Sequence, residues 1–291
     1  MLVYGMQDME VYKLDNPILV NKQVELAKQY GICGFAVYYY WFSDNSITNK
    51  NTIMEGCYDI FFKTPYENFK VFFTWANEDW SKNVAFNNPN TILNEYNTKN
   101  IINNCKNLIK YFTHINYYKV DNKPVFGIHH PQYIPISMLD ELYSILNTAC
   151  QLQGFDGIIL LINSIKYTCD KYKNYSLHPN YKNKKNTNVS IKCNKFNKIL
   201  LNYDLYVDNL TLDSNIINSI YFDFNNTARL YKPNHLDKVT HCVSSDKEAY
   251  IKKYIIKCKY ACNANAYSNS ELDKIVLINA WNEWGEKMHI E

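Results

Sequence analysis

Seven short apolar runs, spaced along the chain and separated by helical patterns, constrain the fold more than any other feature. They are GFAVYYYWF (34–42), KVFFTWAN (70–77), KPVFGIHHP (123–131), GIILLINS (157–164), YKNYSLH (172–178), SIYFDF (219–224) and KIVLINAW (274–281). Most are β-branched or aromatic and apolar on both faces, as strands of a covered parallel sheet are; 172–178 is the weakest. DNPILVNKQVELAKQYG predicts a helix, with Asn16 as N-cap, Pro17 in the first turn and Gly31 as terminator. Its Val20, Val24 and Ala27 share one face. Ile101, Cys105, Leu108 and Phe112 mark a second helix, and Leu139, Leu142, Leu146 and Ala149 a third. Ile251, Tyr254, Ile255, Cys258 and Ala261 trace a last one.

Repeated β–α units over this length suggest either a (β/α)8 barrel or a doubly wound open sheet. No G-x-G-x-x-G or Walker-type loop favours the open sheet. Polar and aromatic residues instead gather just past strand C-terminal ends: Tyr40-Trp41, Trp75-Ala-Asn77-Glu78, His129-His130, Asn225-Asn226 and Asn282-Glu283. A barrel brings all those ends to one mouth, where active sites form. The fold class predicted is therefore α/β, a (β/α)8 TIM-type barrel, with residues 1–291 as a single domain.

Net charge is +3, too small to imply nucleic acid. The basic excess is local: residues 171–203 hold eight lysines and no acid. That Lys/Asn-rich insertion near 180–200 reads as a solvated loop. Aromatic content is high, with 26 Tyr, 14 Phe and 5 Trp. A Tyr-rich core accounts for most of it, and ring faces also line sugar clefts. Nine cysteines show no metal-site spacing, and Cys33, Cys105 and Cys258 read as small buried hydrophobes. Reduced thiols, no signal peptide at the N-terminus and no membrane-spanning run give a cytoplasmic expectation. His129 and His130, adjacent on a strand, are read as facing opposite sides, so no metal site is predicted. No cofactor is predicted.

Glu283 and Glu286 follow the last apolar run around Gly285. Two carboxylates pointing into one cleft suit chemistry at a glycosidic bond, one as acid at the departing oxygen and the other as base or nucleophile. Flanking Trp281 and Trp284 would exclude water, raise one carboxyl's pKa and offer stacking faces. E-x-x-E alone also fits two solvated glutamates; the FFTWANEDW cluster strengthens the catalytic alternative.

INAWNEWGEKMHIE resembles the end of the barrel in WbsX-like glycosyltransferases, relatives of the glycoside hydrolase family 99 endo-α-mannosidases. ELAKQYGICGFAVYYYWF, VFFTWANEDW, YKVDNKPVFGIHHP and FNNTAR are similar to further family blocks in the same order, covering about 25 to 291. The resemblance implies that Glu283 assists attack by the sugar's own 2-hydroxyl and that Glu286 is the general acid/base. It also implies substrate-binding positions at Tyr40, Trp41, Trp75, Asn77, Glu78, His130, Asn226, Arg229, Asn282 and Trp284. Core packing for Trp75 and a surface ion pair for Arg229 stay open.

The chain departs from the family wording. SKNVAF stands where arginines follow the WANE segment, His130 matches an arginine, Asn225 an acid, Ala228 a proline and Lys287 a glycine. These changes weaken the expectation of a phosphorylated ligand, and Lys287 would tend to lower the acid's pKa. No YLPQFHP-like first strand is evident, and the chain stops before a last helix. An incomplete barrel with an open seam is expected, with three alternatives for closure: a partner chain, self-association or none. The function expected is a glycosyltransferase acting in polysaccharide or glycan biosynthesis on a carbohydrate or nucleotide-sugar substrate. The alternatives are an endo-α-mannosidase-like glycoside hydrolase and an inactive carbohydrate-binding or vestigial fragment.

Overall fold

The computed structural model describes residues 14–42, 52–79, 94–163, 172–175, 188–193, 196–202, 217–221, 240–243, 248–249, 252–253, 255–256, 271–283 and 288–289. The chain divides into two compact units, Met1–Asn163 with Cys169–Lys173, and Ser164–Thr168 with Asn174–Glu291.

The first unit begins with helix α1 (Pro17–Gln29), whose start and stop follow from local chemistry. Asn16 accepts from the Ile18 N–H at 3.0 Å. At the other end Gly31 takes φ +78°, and Gly31 and Ile32 donate back to Lys28 and Ala27. Those two bonds close a Schellman motif that needs a left-handed residue at Gly31. Val20, Val24 and Ala27 are buried along one face. Strand β1 (Gly34–Trp41) follows, then β2 (Thr52–Ile53) and helix α2 (Glu55–Phe61). Next come β3 (Lys70–Trp75), α3 (Thr98–Phe112), β4 (Lys119–Val120), β5 (Lys123–Ile128), α4 (Ile136–Leu152) and β6 (Ile159–Asn163). β4 and β5 form a hairpin whose central residues, Asp121 and Asn122, both have positive φ, the requirement of a type I′ turn.

The sheet order is β2-β1-β3-β5-β6-β7, with β4 on β5 and β7 at Tyr172–Tyr175. β1–β3, β3–β5 and β5–β6 are parallel, and their register aligns Tyr39, Trp75, Ile128 and Ile162 across four strands. Tyr38, Thr74, Gly127 and Leu161 form the neighbouring row. A Cβ at Gly127 would lie 2.6 Å from Thr74 Oγ1, so that row requires glycine there.

Aromatic rings fill the space between sheet and helices. Phe73 meets Tyr39, Tyr58, Phe62, Tyr111 and Tyr117 at centroid distances of 4.9 to 5.7 Å. Tyrosine lets this core stitch backbone as well as fill volume. The Tyr117 hydroxyl donates to Val125 O at 2.8 Å and accepts from the Phe73 N–H at 3.3 Å, bridging β3 and β5. The Tyr58 hydroxyl does the same on β1, donating to Tyr38 O and accepting from the Tyr40 N–H. Burial holds both phenols well above the ordinary tyrosine range.

In the second unit Tyr175 of β7 forms a parallel bridge with Ile217, immediately before β10 (Asn218–Tyr221). β10 pairs in parallel with β12 (Val276–Asn279). Helical residues at 248–249, 252–253 and 255–256 carry an i,i+4 ion pair between Glu248 and Lys252 at 2.7 Å. The chain ends in the β13 (Asn282–Glu283) and β14 (Met288–His289) hairpin.

All seven apolar runs form strands, β1, β3, β5, β6, β7, β10 and β12, in chain order. The Lys/Asn-rich stretch differs from its reading as a loop: β8 (Asn188–Cys193) and β9 (Phe196–Asn202) pair antiparallel, and β11 (Thr240–Val243) runs parallel to β9. Cys33 is exposed because it lies in the link between α1 and β1; Cys105 is buried as expected, and Cys258 lies outside the described residues. On α4 the buried stripe ends at Cys150 rather than Ala149, one turn on from Leu146. Of the residues tracing the last helix only Ile255 is described, and it is exposed. No helix among the described residues is long and apolar enough to cross a membrane.

Candidate active site

In the first unit the ends of β1, β3 and β5 bring Tyr40, Trp41, Trp75, Asn77, Glu78 and His130 together. Trp41 and Trp75 stack at 4.2 Å and 11°, and each is only 1% exposed. Trp75 Nε1 donates to Trp41 O at 3.3 Å. Their ring faces are turned on each other, so the packing alternative for Trp75 fits this geometry and applies equally to Trp41. Tyr40 is half-buried, with its ring 6.4 Å from Phe42.

Asn77, read as a substrate contact, is wholly buried and serves the backbone instead. Its amide donates to His130 O and accepts from the His130 N–H, both at 2.7 Å. The Tyr96 hydroxyl donates to Asn77 O at 2.8 Å and accepts from Asn77 Nδ2 at 3.3 Å. Burial pushes the Tyr96 phenol up to about 12, against the lowering effect of its bond with Asn77. Asn94 closes the other side, donating to Glu78 O and, from its backbone, to Asp79 Oδ1. A buried amide meeting both groups of one residue fixes two strand ends at one separation, and leaving those groups unmet would cost about 1–3 kcal/mol each.

That latch sets out a partly exposed polar group. Glu78 Oε2 lies 3.4 Å from His130 Nε2, with half of the Glu78 side chain open to solvent. Gln132 Nε2 lies 3.1 Å from His130 Nδ1. An amide N–H only donates, so in this arrangement Nδ1 is the acceptor and Nε2 is the nitrogen that faces Glu78. β5 ends at Ile128, so strand alternation does not reach the two histidines. Their rings meet at 4.1 Å and 64° instead of facing opposite sides. Tyr38 continues this row of rings beyond His129, and Tyr133 beyond His130. No group of three potential metal ligands occurs among the described residues. Tyr96, Gln132 and Tyr133 carried no signal in the sequence: each lies in a connection, outside any periodic pattern.

In the second unit the Asn279–Ala280 peptide is cis, Trp281 and Asn282 are half-buried, and the chain turns back. Asn282 pairs with His289, and Glu283 with Met288. Glu286 falls in the four-residue link between these strands. Glu286, Trp284, Asn226 and Arg229 lie outside the described residues, as does the side chain of Glu283.

Comparison with known proteins places this architecture. The endo-α-mannosidase of glycoside hydrolase family 99 from Bacteroides thetaiotaomicron superposes with a TM-score of 0.55 at 16% identity, over 96% of this chain and 71% of that one. A glycoside hydrolase-like protein gives the same TM-score at 15% identity, over 96% and 80%. The fold is that of these (β/α)8-barrel enzymes. An uncharacterized protein, WxcX of Xanthomonas campestris pv. campestris strain B100, is 22% identical over 129 residues, 44% of this chain. The matched stretch spans 18% of the length of that relative. The family model described as Glycosyltransferase WbsX matches residues 6–291. Family and fold together are those of carbohydrate-active enzymes, and the chain belongs to the WbsX glycosyltransferase family.

Proposed function

We propose that this protein is a glycosyltransferase acting on glycosidic bonds in glycan biosynthesis, with Glu283 and Glu286 as its reacting carboxylates. The supporting observation is the β13–β14 hairpin. Directly after β12, it makes Glu283 a paired residue, with Glu286 three positions on in the sequence, between the two strands. A two-carboxylate site needs each acid to hold its place relative to the acetal carbon, and backbone pairing at Glu283 supports that reading. In this reading Glu283 takes the proton of the sugar's 2-hydroxyl as that oxygen attacks the anomeric carbon. Glu286 gives a proton to the departing oxygen and then recovers one from the incoming acceptor hydroxyl. On the second unit we take Asn226, Arg229, Asn282 and Trp284 as substrate-binding residues, and on the first unit Tyr40, Glu78 and His130, with Trp41, Trp75 and Asn77 packed behind those three. We take residues 1–291 as one barrel domain, a carbohydrate or nucleotide sugar as substrate, and the cytoplasm as location.

A second reading, hydrolysis, is favoured by the likeness to solved endo-α-mannosidases. The two differ in whether water or a sugar hydroxyl takes the glycosyl group. Incubation with α-mannosides, with and without nucleotide-sugar donors and acceptor glycans, separates them by product. Glu283→Gln and Glu286→Gln each lower turnover by about 10²–10⁴-fold, the usual worth of a general acid or base. Turnover unchanged in both variants removes the pair from the mechanism.

A further inference from the structure

At the opposite end of β3 from the strand-end cluster, two lysines from different strands meet one turn. Helix α3 gives way there to residues 113–118. Lys70, the first residue of β3, donates from Nζ to Ile115 O at 3.0 Å. Lys119, the first residue of β4, donates from Nζ to the neighbouring carbonyl, His114 O, at 2.6 Å and reaches Tyr117 O at 3.5 Å. Carbonyls just past a helix C-terminus attract cations, which explains why both lysines are drawn to them. It also puts two like charges side by side. Among the described residues no carboxylate pairs with either lysine. The third titratable group of the turn is His114, whose Nδ1 accepts from the Asn116 N–H at 3.1 Å. Burial, and after it the Lys119 charge, holds that imidazole below its ordinary range.

The two lysines differ in their surroundings. Lys70 is exposed, whereas Lys119 is half-buried, with its Nζ 5.8 Å from the centre of the Phe155 ring. Burial, and after it the Lys70 charge, pushes the Lys119 ammonium down to about 8. A lysine desolvated beside a second cation is the usual form of a nucleophilic amine.

We infer that Lys119 is a modification site, its Nζ taking the acyl group of a small acyl phosphate whose phosphate rests on the Lys70 ammonium. The chemistry of the pair sets the class. A neutral amine supplies the nucleophile, and the cation beside it favours an electrophile with an anionic leaving group. The Lys70 ammonium carries further N–H donors beyond the one used on Ile115 O, and phosphate oxygens can accept from them. In the reaction the neutral Lys119 nitrogen gives its electron pair to the acyl carbon, and an amide N–C bond forms. The bond from that carbon to the phosphate oxygen breaks, and its electron pair leaves with the phosphate. The surplus proton on nitrogen passes to that phosphate. The product is an uncharged amide that keeps one N–H for His114 O and no longer repels Lys70. No group named for the glycosyl chemistry takes part.

The test is incubation of the full chain with acetyl phosphate at a series of pH values, with the occupancy of each lysine read by peptide mass spectrometry. Near neutrality Lys119 is acetylated about tenfold faster than the exposed Lys63 and Lys106 of the same molecules, because a much larger share of it is neutral than of an ordinary lysine. Its rate levels off above pH about 8, and its advantage disappears in the urea-unfolded chain. Lys70→Gln lowers the Lys119 rate about fivefold more with acetyl phosphate than with p-nitrophenyl acetate, an uncharged acyl donor, the worth of one ammonium–phosphate contact. Lys119 acetylated no faster than Lys63 and Lys106 in the folded chain, or an advantage that survives unfolding, overturns the site. Equal losses with both donors in Lys70→Gln overturn its assignment to acyl phosphates. The first comparison uses the wild type alone, so it holds whatever the substitution does to folding.

Discussion

Two strand ends in this protein are written in nearly the same letters, Trp75-Ala-Asn77-Glu78 after β3 and Trp281-Asn282-Glu283 after β12, and they are built differently. β3 lies between β1 and β5, and all its residues but Lys70 are buried. Its Trp and Asn point into that framework, where another ring and another strand's backbone use them up, and only Glu78 reaches solvent. β12 pairs with β10 among the described residues and is half-buried along its length, with Ile278 exposed. Trp281 and Asn282 are half-buried too, and Asn282 pairs with His289 further along the same chain. The lesson is that a tryptophan, an asparagine and a glutamate at a strand end do not have one meaning. Flanked on both sides they become a clamp. Followed by a turn of their own, the second tryptophan and asparagine stay half-buried, with Asn282 and Glu283 paired through their backbone to the next strand.

The most severe way to test that difference is to delete the tryptophans. Trp75→Ala removes a fully buried ring and its stacked contact with Trp41, and costs about 3–5 kcal/mol. Trp281→Ala removes a half-buried one and costs about 1–2 kcal/mol. Urea denaturation of the two variants beside the wild type measures both. Equal losses would mean that the two ends share one architecture.

The asparagines cut more finely. Asn77→Ala leaves the His130 N–H without its partner and the His130 C=O with the Tyr133 N–H alone, a loss of about 1–3 kcal/mol. It also loosens the Glu78–His130 separation, so sugar affinity falls along with stability. Asn282→Ala, at a half-buried position, costs under about 1 kcal/mol of stability. Melting curves together with glycoside titration show whether the two effects travel together at Asn77 and separate at Asn282.

How much of this could be read beforehand depended on whether a residue's task was periodic. Strands and helix faces repeat, so all seven runs, the caps of α1 and the stripe of α3 were visible in the letters. α2 was not visible, because it starts at Met54 with φ +66° and no side-chain cap, so the usual start signal is missing. β8 and β9 were hidden by composition. Val189, Ile191 and Cys193 alternate with polar residues, but the surrounding lysines and asparagines suggest a solvated loop. The strand-end clusters were found as clusters; what each member does there was not. Nothing in the letters distinguishes Asn77, turned towards a neighbouring backbone, from an asparagine turned towards a ligand. That distinction belongs to His130, just past the end of β5 and 53 residues away in sequence. Tyr133 escaped for the same reason, since its place is set by the His130 carbonyl and ring.

The smallest effect isolates the outer bolt of the clamp. The Tyr96 hydroxyl also holds Asn77, and burial pushes its phenol up from the ordinary tyrosine range to about 12. A folded-state pKa above the unfolded one means that the native protein binds the extra proton between those values. Stability from this group is therefore complete below pH about 10 and is lost as pH rises towards 12. Tyr96→Phe removes both hydrogen bonds to Asn77, about 1–2 kcal/mol near neutrality, and also removes that part of the alkaline fall. Stability measured from pH 7 to 11 should then show the two proteins converging as pH rises, while the Asn282→Ala variant runs parallel to the wild type. Curves for Tyr96→Phe and wild type that stay a constant distance apart would mean that the phenol titrates normally, and that Asn77 is held by His130 alone.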